Sequence, residues 1–158
     1  MIVRQTDTAG NASANSAALA YTLDATAPTA AVSTVAFSAD TGISTTDFIT
    51  KTTTQTITGT LSSAIVAGDI VKVSLNNGAT WQTATAAVGS TTYSLSGVTL
   101  TASNTMIVRV EDAAGNFSTA KTQAYTLDTT APSAAVSTVA FSADTGTSAT
   151  DFITKTAA

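Results

Sequence analysis

The sequence predicts an all-β protein built as an antiparallel two-layer sandwich, carried in tandem repeats. Three observations predict it. Apolar residues alternate with Thr and Ser in short runs, the period-2 pattern of half-buried strands. Thr is the commonest residue, with 35 copies among 158, and charged residues make up only 10%. Such a composition favours β-branched strands over helices. Finally, the chain repeats itself. Met1-Ile-Val-Arg recurs from Met106, Tyr21-Thr-Leu-Asp from Tyr125, and the twelve residues from Ala31 recur unchanged from Ala135.

The repeat is near 104 residues, so the chain spans about one and a half periods. Pro28 and Pro132 are the only prolines, and each follows Leu-Asp-x-Thr-Ala. Proline cannot donate to a ladder and restricts the residue before it, so it punctuates the array. The complete unit is placed at 26–129. Residues 1–25 are the last two strands of a preceding unit, and 130–158 the first strand and loop of a following one.

Within 26–129 the pattern predicts seven strands. The first covers 29–38. The second covers 54–61, where Thr54-Gln-Thr-Ile-Thr-Gly-Thr-Leu alternates. The third is Ile70-Val-Lys-Val-Ser-Leu, ended by the Asn76-Asn-Gly turn. A fourth begins at Trp81, a fifth covers Tyr93 to Val98, a sixth Met106 to Val110, and a seventh 117–127. Seven short antiparallel strands in about 100 residues read as an immunoglobulin-like sandwich. With no Cys, its core is expected to be Val, Ile, Leu, Phe37, Trp81 and two tyrosines.

Composition excludes several functions. With no Cys and no His there is no thiolate or imidazole chemistry and no zinc finger. Six scattered Lys and Arg make no phosphate-binding stripe, so nucleic acid is not an expected partner. No apolar run is long enough to insert in a membrane, and no signal peptide is visible. No acid–base pair can be assembled, so the chain is not expected to be an enzyme. Lys51, Lys72, Lys121 and Arg109 read as solubilising residues.

The acids carry the sharpest signal. Up-and-down strand order puts the incoming chain, the 62–69 loop and the 111–116 loop at one end, the leading pole. The 39–52 loop and the exit at Asp128 lie at the trailing pole. Asp24, Asp69, Glu111 and Asp112 then gather at the leading pole, and Asp40, Asp47 and Asp128 at the trailing one. The repeat keeps the pairs Asp7 and Asp112, Asp24 and Asp128, Asp40 and Asp144, and Asp47 and Asp151. Clustered carboxylates repel, and a hard cation bound by oxygen ligands relieves this. Calcium takes six to eight such oxygens. Ca2+ is therefore the expected cofactor, with Asp24, Asp69, Asp112, Asn116, Asp40, Asp47, Asp128, Asp7, Asn11, Asp144 and Asp151 as candidate ligands. Asp and Asn also cap turns through local backbone bonds, which is the alternative role for each of them. The spacing is not that of an EF-hand.

The motifs Val110-Glu-Asp-Ala-Ala-Gly-Asn-Phe-Ser and Tyr125-Thr-Leu-Asp-Thr-Thr-Ala-Pro resemble the bacterial Ig-like tandem repeats of giant surface adhesins. These include biofilm-associated proteins and the extender regions of RTX-type adhesins. Ser38-Ala-Asp-Thr-Gly and Val73-Ser-Leu-Asn-Asn-Gly-Ala-Thr-Trp are similar to the same repeats, and the resemblance covers the whole chain. It implies an extracellular spacer in a stalk, with calcium between repeats. The ligands implied are Asp24, Asp112 and Asn116 at one junction, and Asp40, Asp47 and Asp128 at the other. Acid content is low for that family, and no Gly-Gly-x-Gly-x-Asp repeat is present.

Expected partners are neighbouring repeats or neighbouring chains. Neither half-unit can bury a core alone, so strand exchange between chains into a fibre is the alternative assembly. A second alternative is a glycan-binding module using Trp81 and Tyr93 as a stacking platform.

Overall fold

A computed structural model describes residues 1–156. Met1–Asp128 forms one compact unit, and the chain from Thr129 onward a second. The first contains eight strands: β1 (Ala36–Phe37), β2 (Ile49–Thr50), β3 (Thr54–Thr60), β4 (Ile70–Ser74), β5 (Gln82–Ala84), β6 (Thr92–Thr99), β7 (Asn104–Glu111) and β8 (Lys121–Leu127). They form two sheets, β1-β3-β6 and β2-β8-β7-β4-β5. The fold is an all-β immunoglobulin-like sandwich.

Alternation does the work the sequence predicts. On β7, Met106, Val108 and Val110 are fully buried, while Ile107, Arg109 and Glu111 between them face outward, half-buried. On β4, Val71 and Val73 point inward. They meet Ile57, Tyr93 and Val98 of the other sheet in one core, joined by Phe37, Ile65, Leu100 and Tyr125. Burial of such side chains is the main favourable contribution to folding.

Three departures from the predicted strands have physical causes. The expected strand at 29–38 is cut to Ala36–Phe37. Ser33 N and Thr34 N both donate to Thr60 O, and Thr60 N donates to the Thr34 hydroxyl, so a bulge interrupts the ladder. The 39–52 loop contains a strand of its own. After β1 the chain switches sheets, and β2 pairs in parallel with β8, Ile49 against Thr126 and Thr50 against Leu127. The sandwich is therefore not antiparallel throughout. Third, the last strand begins at Lys121 rather than 117. Ser118 N donates to Val110 O, and Val110 N donates to Ser118 Oγ. That hydroxyl replaces a ladder carbonyl and displaces the start of β8.

The buried Gln55 organises the sheet switch. Its Oε1 accepts from Ala39 N and the Ser38 hydroxyl, and its Nε2 donates to Ala39 O and Thr52 O. Phe48, at φ 62°, packs edge-on against Phe37 at 5.1 Å. Phe37 in turn meets Tyr125 at 5.6 Å.

Residues 1–19 form a hairpin in place of two regular strands. Ser13 N donates to Gln5 O, Ser16 N to Val3 O and Leu19 N to Met1 O. Its two arms advance unequally, and the Ser13 and Ser16 hydroxyls accept from Gln5 N and Val3 N in the gaps. In the second unit, the 142–156 segment repeats the bonds of the 39–52 loop. Thr154 Oγ1 donates to Ala143 O, Lys155 N to Thr145 Oγ1, and Phe152 stands at φ 60° against Phe141.

Candidate functional site

The leading pole is built from three chain segments. The first is the tight turn between β7 and β8. Asp112 Oδ1 accepts from Ala114 N at 2.9 Å and Asn116 N at 2.8 Å, and its Oδ2 accepts from Asn116 Nδ2 at 2.9 Å. Gly115, at φ 89°, supplies the left-handed step the turn needs. These donors, Asn116 Nδ2 foremost, hold the Asp112 carboxyl below the usual carboxylate range. Asp7 and Asn11 reproduce the same turn, and Asp7 is likewise lowered, chiefly by Asn11. Local residues alone therefore specify this motif.

The second segment is the linker. Asp24 Oδ1 accepts from Thr26 N, and its carbonyl accepts from Asn116 Nδ2 at 3.2 Å, across 92 positions of sequence. The third is the β3–β4 loop. Asp69 there is raised above the ordinary carboxyl range, first by burial and then by the negative charge of Asp112. Its Oδ2 is buried with no hydrogen-bond partner. Asp24, Asp69 and Asp112 line one open pocket together with Pro28 and Gly68.

At the trailing pole, Asp40 and Asp128 line a pocket with Thr41, Thr50 and Lys51. Asp40 Oδ2 accepts from Phe48 N at 2.9 Å, and its Oδ1 is buried without a partner. Asp128 N donates to Thr50 O. Asp47 accepts from Ile49 N and does not line this pocket. Lys51 brings a positive charge to the same place, so these acids are not the uncompensated cluster that the sequence implies. In the second unit Asp144 accepts from Phe152 N and Asp151 from Ile153 N, and Asp144 Oδ1 is again buried without a partner.

Each pole has one carboxylate oxygen buried without a partner, Asp69 Oδ2 and Asp40 Oδ1; the leading pole gathers three carboxylates, and the trailing one adds Lys51. Among the described residues, however, no three acids converge as a ready-made metal site. Most of the candidate carboxylates already serve as acceptors within their own turns.

Trp81 and Tyr93 do not form a common platform. Tyr93 is 3% exposed, in the core of the smaller sheet, and its hydroxyl donates to Thr34 O. Burial pushes that phenol well above its ordinary range. Trp81 stands outside the core in which it is expected. The Arg109 guanidinium lies 4.2 Å from the Trp81 ring centre and 4.2 Å from that of Phe117, and pairs with Glu111 at 3.2 Å. The sequence reading missed this stack. Its one signal was the parity of β7, which puts Arg109 on the outward face.

No helix among the described residues is long and apolar enough to cross a membrane. No curated protein matches the sequence. The family described as bacterial Ig-like domain matches residues 26–129, the stretch that folds into the two-sheet sandwich. The match spans well over half of the chain, and the chain therefore belongs to the bacterial Ig-like domain family.

Proposed function

We propose that this chain is a structural spacer from the tandem-repeat region of a large extracellular bacterial adhesin or surface filament, with Ca2+ stiffening the repeat junctions. The observation that carries the reading is the placement of Asp24 and Asp128. They are equivalent residues of successive repeats, and they stand at opposite poles of one domain: Asp24 on the turn before β8, Asp128 just past its end. The seven residues of β8 separate the two by roughly 23 Å at 3.3 Å per residue. In this reading the chain's partners are neighbouring repeats of the same protein. Family membership supports an extracellular structural role, and no catalytic step enters this reading.

Support for calcium comes from Asp24, Asp69 and Asp112 on one pocket and from the unpartnered Asp69 Oδ2. The test is a calcium titration followed by thermal melting, with an EDTA arm. A ligand that binds only the folded state stabilises it by about 2.7 kcal/mol at a hundredfold excess over Kd, a rise in Tm of more than ~10 °C for a domain this size. Identical melting curves in calcium and in EDTA would remove the metal from the reading.

One observation favours a second assembly. Tyr21, Leu23, Phe141 and Phe152 are exposed, whereas their counterparts Tyr125, Leu127, Phe37 and Phe48 pack on the core of the complete domain. Neighbouring chains exchanging these segments would form a fibre, which electron microscopy of the purified chain would reveal.

A further inference from the structure

The internal repeat shows each junction residue from two sides. Asp128 shows how a junction aspartate is held by its own unit: its N–H donates to Thr50 O, one position beyond the parallel pairing of β2 with β8. Asp24 is the same residue one repeat earlier, and shows how it is held by the unit that follows. Its carbonyl accepts from Asn116 Nδ2, and its carboxylate accepts from Thr26 N. Past it the chain has no slack. Pro28 is restricted, Ala30 is buried, and Ala31 exchanges two bonds with Ser62.

We propose that Asn116 is a latch on the interdomain linker. Its amide spends one N–H on Asp112 within its own turn and the other on the carbonyl of the junction aspartate, so consecutive units share a residue gripped from both sides. This rests on the spacer reading and names what makes the spacer stiff before any cation binds. A primary amide is the group this position needs. A carboxylate there would lack the donors, and a hydroxyl has only one.

Backbone 15N relaxation of the whole 158-residue chain in EDTA tests it. In the wild type, the amides of Leu23 to Thr26 are expected to show order parameters near 0.85, the value of a rigid backbone, and in Asn116→Ala to fall below 0.6. Asn116→Asp, which keeps the shape and removes the Nδ2 donor, is the second variant, and the β7 amides in the same spectra report that the domain is folded. Asn11→Ala is the control, because Asn11 makes the same bond within its own turn but grips no linker. Linker amides already mobile in the wild type, unchanged in both Asn116 variants, or loosened equally by Asn11→Ala would overturn the latch. A melting curve insensitive to calcium would remove the cation alone and leave the latch standing.

Discussion

Gly59 lies directly beneath Tyr93. The two residues are register partners across β3 and β6, and the Tyr93 ring passes over Gly59 to donate its hydroxyl to Thr34 O at 2.9 Å. A β-carbon at Gly59 would overlap both Thr34 O and Tyr93 Oη. The glycine is there because a phenol and a neighbouring backbone occupy the space a side chain would need.

Gly59→Ala is therefore expected to destabilise the domain by about 2 kcal/mol, within the usual range for overpacking. Tyr93→Phe, which leaves Thr34 O without that donor, should cost ~1 kcal/mol. Urea denaturation of both variants checks the order. A Gly59→Ala protein as stable as wild type would show that the Tyr93 ring and the Thr34 backbone can shift here without cost.

Gln55 is 1% exposed and makes four hydrogen bonds to the sheet-switching segment. Gln55→Leu removes the side-chain partners of Ala39 N and Thr52 O, while Ala39 O keeps the Thr50 hydroxyl. A loss of about 3 kcal/mol is expected, since each unsatisfied buried group costs 1–3 kcal/mol. Amide exchange should show β2 opening first.

The Arg109 guanidinium fills the gap between Trp81 and Phe117. Arg109→Lys keeps the charge and loses the planar stack, so ~1 kcal/mol of stability should go. Trp81 is the only tryptophan, and its emission reports the change directly. An unshifted spectrum with unchanged stability would mean the rings hold their positions without the planar guanidinium.

Acid titration should separate two classes of carboxylate. Asp112 and Asp7 are lowered by turn donors, so their contribution is present above the unfolded value of 3.8 and lost as pH falls through the lower folded value. Asp69 is raised, so ionised Asp69 weakens the folded state, and stability is regained as pH falls through its raised value toward 3.8. In EDTA, Asp69→Asn is expected to be more stable than wild type at pH 7, with the difference closing as the pH is lowered to about 4. Urea midpoints at several pH values measure this. A variant less stable than wild type at pH 7 would contradict the sign.

Some of this was legible because it is local. The Asp112 to Asn116 turn closes within five residues, and the Asp7 to Asn11 hairpin forms it again. The Asp40 to Phe48 bond spans eight positions, and Asp144 to Phe152 repeats it in the second unit. Period-2 alternation put Val71, Val73, Met106, Val108 and Val110 inside, and the repeat set the length of the unit. Gln55 could have been read the same way, since it shares the inward parity of Ile57 on β3.

The sequence by itself thus determined the strand pattern, the repeat and the local turns, because each depends on neighbours a few residues apart. Tertiary structure alone decided the rest. It left Trp81 outside the core on Arg109, and it turned β2 onto β8 in parallel. It also brought the Asp24 carbonyl to Asn116 across 92 positions. These outcomes depend on which distant surfaces meet once the two sheets close, and no pattern of nearby residues encodes that.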